Sequence, residues 1–278
     1  MLKTQRPDLA DALQTELDNR QKAVNTGQAG DSPWDDFNKH ESRIELKDVL
    51  ETMFHRKCAY CERTQGARQI EHYWPKKPHS QNARKGTPAK MFVWDNLLLA
   101  CETCNGFECK ASRMEWYDED KPKLVNPCQD DPICYMDINL MQGPRVRWGF
   151  ILPRANLDQE HSDRAAYTIR RLKLNRRDGL RQARAQMIRD FLSWLHILNE
   201  FGPDYEAPSG HTVRERFLNM LDPSSTYLAA IRQILFCEPD HADLRQQLLD
   251  QIPELEAKLD AWALPPQDCA ENSPITPS

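Results

Sequence analysis

The chain has 278 residues, a mean hydropathy of −0.75 and no apolar run approaching the roughly 20 residues that a membrane-spanning helix requires. Its net charge of −5 is unevenly distributed: nine basic residues stand against two acidic ones between positions 56 and 90, and nine against one between 164 and 189. Such segregation points to two surfaces for polyanions on an otherwise acidic body, although a solvated helix face is the ordinary meaning of any single charge run. The length suits one elaborated domain or two small ones. The first 20 residues lack the hydrophobic core of a secretion signal, so a cytoplasmic protein is expected, with no membrane association. Nine cysteines, an odd number, then favour metal ligation or free thiols over a disulfide framework.

In chain order, residues 1–30 read as helical and close in the loop "NTGQAGDSP". A second amphipathic segment, "ELKDVLETMF", runs into Cys58. Residues 58–127 are short-patterned and turn-rich, and "PHSQNARKGTPAK" in their middle is too polar for a core. Beyond Pro127 the pattern becomes helical. "DRAAYTIRRLKL" is one segment, and Asn175 is placed to cap the next, whose apolar stripe is Leu180, Ala183, Met187, Phe191, Leu195 and Leu198 and whose end is Gly202-Pro203. "STYLAAIRQILF" and "ADLRQQLLDQIPELEAKLDAWAL" complete the helices, and "PPQDCAENSPITPS" has the composition of a disordered tail. The chain therefore divides into an N-terminal helical lead-in (1–55), a ligand-rich core (56–127), a helical region (128–265) and a tail (266–278) of an α+β, mostly helical protein.

The chemistry is concentrated in the core. Cys58-x-x-Cys61 is followed after 39 residues by Cys101-x-x-Cys104. Two residues between the cysteines let both sulfurs of each knuckle reach one ion, and two such knuckles make a tetrahedral thiolate site for structural zinc. Four thiolates leave no open coordination position, so this zinc organises rather than catalyses. Cys109, Cys128, Cys134 and Cys237 are irregularly spaced and read as buried free thiols, and Cys269 as an unpaired thiol in the tail. Tyr73, Trp74 and Trp94 could stack on bases but more naturally pack around a small metal core.

Between the knuckles lie "IEHYWPK" and "WDNLLLACETCN", and after them "LVNPCQDDP" and "YTIRRLKLNRRDGLRQAR". Together with "KCAYCE" these stretches resemble the HNH nucleases, and among them the Septu-type nucleases of bacterial antiphage defence, a group that includes retron-attached effectors. The resemblance covers roughly residues 45–240. It implies a zinc-stapled ββα-metal core, with His72 as general base and Asn96 bracing the loop that positions it. Glu71 and Asn105 would be ligands of a catalytic Mg²⁺ or Mn²⁺. Many HNH sequences carry a lysine three positions beyond the last motif residue, whereas Lys110 stands five beyond Asn105.

These residue types suit phosphodiester hydrolysis. A histidine titrates near neutrality and can take a proton from water, and oxygen ligands select Mg²⁺ or Mn²⁺ over zinc. Arg63, Arg68, Lys76, Lys77, Arg84, Lys85 and Lys110 would grip phosphates without reading bases. The resemblance further implies an SMC/ABC-type ATPase partner and, in retron systems, a reverse transcriptase with its RNA–DNA product; a homodimer within a larger complex is compatible with both. DNA is the favoured substrate. An RNase-type effector acting on tRNA and a non-catalytic zinc module that binds nucleic acid or protein are the competing expectations.

Overall fold

The structure is a computed structural model that describes residues 4–64, 66, 68–76, 90–110, 115–118, 121–140, 148–236 and 242–260. About half of these residues are helical, and the strands among them form three two-stranded antiparallel sheets. No described helix is long and apolar enough to cross a membrane. The chain divides into two compact units, one of residues 2–132 with 163–172, the other of residues 133–162 with 173–278.

The first unit opens with α1 (Asp11–Asn25), α2 (Pro33–Phe37) and α3 (Ser42–Met53). Leu13 and Leu17 of α1, and Leu46, Leu50 and Met53 of α3, are buried at the four- and three-residue spacing that makes one apolar stripe per helix. Proline at the first position of α2 costs no hydrogen bond there, and the helix buries Trp34 and Phe37. β1 (Arg68–His72) and β2 (Leu97–Cys101) then form an antiparallel hairpin whose register runs from Arg68 opposite Cys101 to His72 opposite Leu97. β2, "LLLAC", is buried along its whole length, whereas in β1 only the last three residues are. β2 passes directly into α4 (Glu102–Asn105). The hairpin thus follows the first cysteine knuckle, and its junction with α4 carries the second. β3 (Trp116–Asp118) pairs with β4 (Lys121–Pro122).

The N-terminal residues are tied to this hairpin rather than set apart from it. The Arg6 guanidinium donates to the carbonyls of Trp94, Asp95 and Leu97 at 2.9, 3.0 and 2.8 Å. Trp94 lies under that guanidinium, 4.8 Å from ring centroid to carbon, and its indole donates to the Pro7 carbonyl. Tyr73 is fully buried, with its hydroxyl on the Leu124 carbonyl, and Lys90 covers the Trp74 ring. All three aromatics are packed.

The second unit holds α5 (Pro132–Tyr135), the hairpin of β5 (Met136–Ile138) and β6 (Ile151–Pro153), and the remaining helices; α6 (Gln159–Arg171) falls across the division. α7 (Asp178–Phe201) buries Leu180, Arg184, Ala185, Ile188, Phe191, Leu195 and Leu198, and ends on Gly202 in the left-handed region (φ 82°). Ala183 and Met187, expected on the buried stripe, are only half-buried. Arg184 takes their place because its guanidinium donates to the carbonyls of Gly149 and Leu174 at 2.9 and 2.7 Å. Asn175 does not cap α7. Its amide exchanges two hydrogen bonds with the Ile151 backbone, at 2.8 and 2.6 Å, and so ties β6 to the approach to the helix.

α8 (Val213–Met220), which the periodicity reading passed over, starts with a full capping box between Thr212 and Glu215. α9 (Leu228–Phe236) follows. The segment read as one last helix is broken at Pro253, which has no N–H to continue it, into α10 (Ala242–Gln251), a 3₁₀ turn and α11 (Glu256–Asp260). The 266–278 tail and the polar 78–89 segment lie outside the described residues. Cys134 is disulfide-bonded, which corrects its reading as a free thiol; Cys237 and Cys269 lie outside the described residues. Neither Cys109 nor Cys128 is in a disulfide, and burial raises the Cys128 thiol to about 11.

Gly149 gives a direct stability test. Its φ is +76°, and a Cβ there would stand 2.5 Å from the Arg181 carbonyl oxygen and 2.8 Å from the Ala185 nitrogen, both backbone atoms of α7. Gly149→Ala is expected to destabilise the protein by about 3 kcal/mol, through backbone strain and forced separation of α7. A urea melt followed by circular dichroism measures it.

Candidate active site

The two knuckles meet. Cys58, Cys61, Cys101 and Cys104 are all buried, and their four sulfurs lie within 4.8 Å of one another. The chain leaves α3 through two left-handed residues, His55 and Arg56 (φ 49° and 56°), which turn it back toward β2. The Ala59 N–H then docks on the Leu99 carbonyl at 2.8 Å, while Cys58 accepts from Glu62 N–H and donates to the Arg63 carbonyl. The second knuckle needs no turn of its own, since Cys101 ends β2 and Cys104 lies in α4. Burial pushes the Cys58 thiol well up, while hydrogen bonds from Cys104 and Cys58 pull Cys101 far down. Four buried sulfurs this close together are the donor set that one tetrahedral thiophilic ion satisfies, and they fit a structural zinc.

The same hairpin carries the predicted catalytic pair at its far end. Glu71 and His72 are the last residues of β1, both buried (3 % and 5 % exposed). They line a 440 Å³ cavity together with Asn105, Lys110, Lys76, and Ser32 to Asp35 at α2. The His72 Nε2 lies 2.9 Å from the Met91 carbonyl oxygen, so Nε2 carries the proton and donates it, leaving the Nδ1 lone pair open. Trp34 meets the imidazole edge-to-face, with centroids 4.2 Å apart and planes at 81°. Burial, with the Lys76 charge nearby, pulls His72 down to about 3, so the ring is neutral at physiological pH.

Asn105, the last residue of α4, donates through Nδ2 to Gln69 Oε1 at 2.9 Å, which leaves its own Oδ1 as an acceptor. The Glu71 carboxylate is pushed up by burial and held against that push by Lys110, whose ammonium ion-pairs with its Oε1. Glu71 and Asn105 line one cavity, and their side-chain oxygens are the type of donor that a hard divalent cation such as Mg²⁺ or Mn²⁺ takes.

Asn96 stands one layer back. It is 2 % exposed and its amide is fully engaged: Nδ2 donates to the carbonyls of Trp74 (3.1 Å) and Lys90 (2.6 Å), and Oδ1 accepts from Trp74 N–H (2.5 Å). Its backbone carbonyl accepts from Tyr73 N–H. One side chain thus joins the residues just after His72 to those just before Met91, the carbonyl that orients the imidazole. Asn96→Ala strands these buried groups and is expected to cost about 3 kcal/mol of stability. Thermal unfolding of the variant measures that loss.

The basic residues separate into different roles. Arg63 lies beside the thiols of Cys61 and Cys101, and Arg68 donates to the carbonyls of Thr64 and Gly66. Lys76 is at the cavity and 5.4 Å from the Trp34 ring. Lys77, Arg84 and Lys85 lie outside the described residues. Lys110 does not belong with a phosphate-gripping surface: it is 2 % exposed, and besides Glu71 its ammonium contacts the His72 carbonyl. The second basic run is likewise partly internal. Arg164 pairs with Asp130 at 2.6 Å, Arg171 donates to the Lys110 carbonyl at 3.2 Å, and Arg184 is buried.

Three features of the site escape sequence reasoning. Trp34 lies 38 residues before His72 and carries no motif signal beyond its place in a short aromatic segment. The Met91 contact is made by a backbone carbonyl, for which no residue type is diagnostic. Lys110 was visible in "NGFECK", but its offset from Asn105 hid that it reaches back to Glu71.

No protein-family model matches the chain. Among curated proteins it is similar to the "Septu protein PtuB" of Bacillus mycoides (strain KBAB4), with 24 % identity over 250 aligned positions that cover 74 % of this chain and 78 % of that protein.

Proposed function

We propose that the chain is a metal-dependent HNH nuclease that hydrolyses phosphodiester bonds, DNA in the first instance, as the effector of a Septu-type antiphage defence system. One observation carries this reading: a single cavity beside the four-cysteine cluster is lined by Glu71, His72 and Asn105, which come from β1 and α4. A hairpin, a helix and a thiolate staple in this order have the outline of a ββα-metal core. The likeness to the Septu protein supports the defence role and, with it, an ATPase partner of the SMC/ABC kind.

The side chains divide the work. The hydrogen bond to Met91 fixes the His72 tautomer, so that Nδ1 is the atom left to accept a proton from water. Burial keeps that nitrogen unprotonated, and Trp34 holds the ring plane. Glu71 and Asn105 would hold Mg²⁺ or Mn²⁺, which when bound supplies Lewis-acid stabilisation of charge on the phosphate and leaving oxygens. Lys76, at the cavity, adds positive charge where a phosphate would approach. The thiolate site takes no part in the reaction; it fixes the hairpin.

The test is incubation of the zinc-loaded protein, alone and with its ATPase partner, with plasmid DNA and with RNA in Mg²⁺ or Mn²⁺. DNA cleavage that disappears when the divalent ion is omitted is the expected outcome. Cleavage of RNA alone moves the protein to the RNase-type reading. Binding without cleavage of either polymer leaves the zinc module and contradicts the proposal.

A further inference from the structure

Among the described residues, Lys110 is the one cation set deep in this cavity by contacts at every part of its residue. Its backbone N–H donates to the Cys104 carbonyl at 3.1 Å, which ties it to the second knuckle. Its carbonyl accepts from the Arg171 guanidinium at 3.2 Å, which ties it to α6. Its ammonium reaches the Glu71 carboxylate and the His72 carbonyl, and the side chain is almost wholly shielded from solvent. A lysine that served only as a phosphate contact would present its ammonium at the surface on a free stem. Here the charge is held at the carboxylate by the backbone itself.

We propose that Lys110 is a built-in counter-cation that occupies the metal-binding carboxylate in the metal-free protein and competes with the divalent ion for it. The inference rests on the reading of Glu71 as a metal ligand and goes beyond it by assigning what sets the affinity of that ligand. A buried carboxylate with no positive partner is costly and takes up a proton instead, so an ionised Glu71 needs a cation beside it. Lys110 supplies that charge when no metal is present and keeps the hairpin end stable. An ion that arrives must then share Glu71 with a fixed positive charge or displace it. The His72 carbonyl gives the ammonium a second acceptor to keep when the carboxylate turns away, so displacement strands no buried donor. The consequence is a metal site weakened on purpose: occupancy demands either a high ion concentration or the added anionic ligands of a bound phosphodiester. Metal loading and substrate loading become coupled, and the free enzyme is kept largely metal-free.

The experiment measures Mn²⁺ affinity of the zinc-loaded full-length protein by electron paramagnetic resonance of the free ion, without substrate. Lys110→Gln is expected to bind Mn²⁺ at least tenfold more tightly than the parent, Lys110→Arg to bind it as weakly as the parent, and Glu71→Gln not to bind it. Glu71-dependent binding that is equal or weaker in Lys110→Gln overturns the competition while leaving the metal-ligand reading intact. Binding that survives Glu71→Gln, or no binding in any form, overturns both. If Lys110→Gln fails to fold, the unmodified protein decides: in protein labelled with ¹⁵N-lysine, the Lys110 Nζ resonance should shift when diamagnetic Mg²⁺ is added to saturation, and an unchanged resonance contradicts displacement.

Discussion

His72→Ala is expected to slow phosphodiester cleavage by about 10²–10⁴-fold, the usual contribution of a positioned general base. Among the described residues at the cavity, the imidazole is the one group with an unprotonated nitrogen held in a fixed orientation, by Met91 through Nε2 and by Trp34 across the ring. Its removal leaves a gap beneath Trp34 but breaks no backbone pairing of β1 with β2. The variant should therefore keep its zinc and its far-UV circular dichroism while losing turnover. In cells carrying the whole defence system, it should also lose protection against phage. A His72→Ala protein that still protects would leave the chain a binding module.

Cys58→Ser is expected to have the larger structural effect. Its sulfur is one of four placed to hold one zinc ion, and apparent binding energies of structural zinc in small domains reach about 10–16 kcal/mol, comparable to the whole stability of a typical domain. Loss of the ion releases the first knuckle from β2, where it is docked by the Ala59 to Leu99 hydrogen bond. It releases as well the α4 segment that carries Asn105. Zinc content by atomic emission should fall, the melting temperature should drop by more than in Asn96→Ala, and cleavage should vanish together with the fold. The contrast between the two variants separates scaffold from chemistry: one loses activity with structure intact, the other loses both.

How far the sequence was legible depended on whether a residue acts through its type or through its place. The four cysteines were legible because thiolate ligation needs that residue at that spacing, and the structure brings their sulfurs together. Glu71, His72 and Asn105 were legible as a set only through the order of the motifs around the knuckles, and they share one cavity. Helix periodicity located α3, α6, α7 and α9, but it counted only apolar side chains. It therefore missed Arg184, whose guanidinium is buried because two carbonyls receive it. The same limit made Lys110 and Arg164 look like surface base, when each has a buried carboxylate or carbonyl partner. Asn175 looked like a helix cap because asparagine is common there, yet a backbone segment 24 residues away offered both a donor and an acceptor. Charge and amide groups are read poorly from sequence for this reason: their partners are set by tertiary approach.

Phosphodiester hydrolysis is proposed to depend on His72, aligned by one zinc-held hairpin. The deciding experiment is the initial rate of plasmid cleavage by parent and His72→Ala proteins, matched for zinc content and assembled with the proposed ATPase partner, in Mn²⁺. The parent should cleave, and the variant should be at least 100-fold slower. Equal rates, at equal zinc, would contradict that dependence.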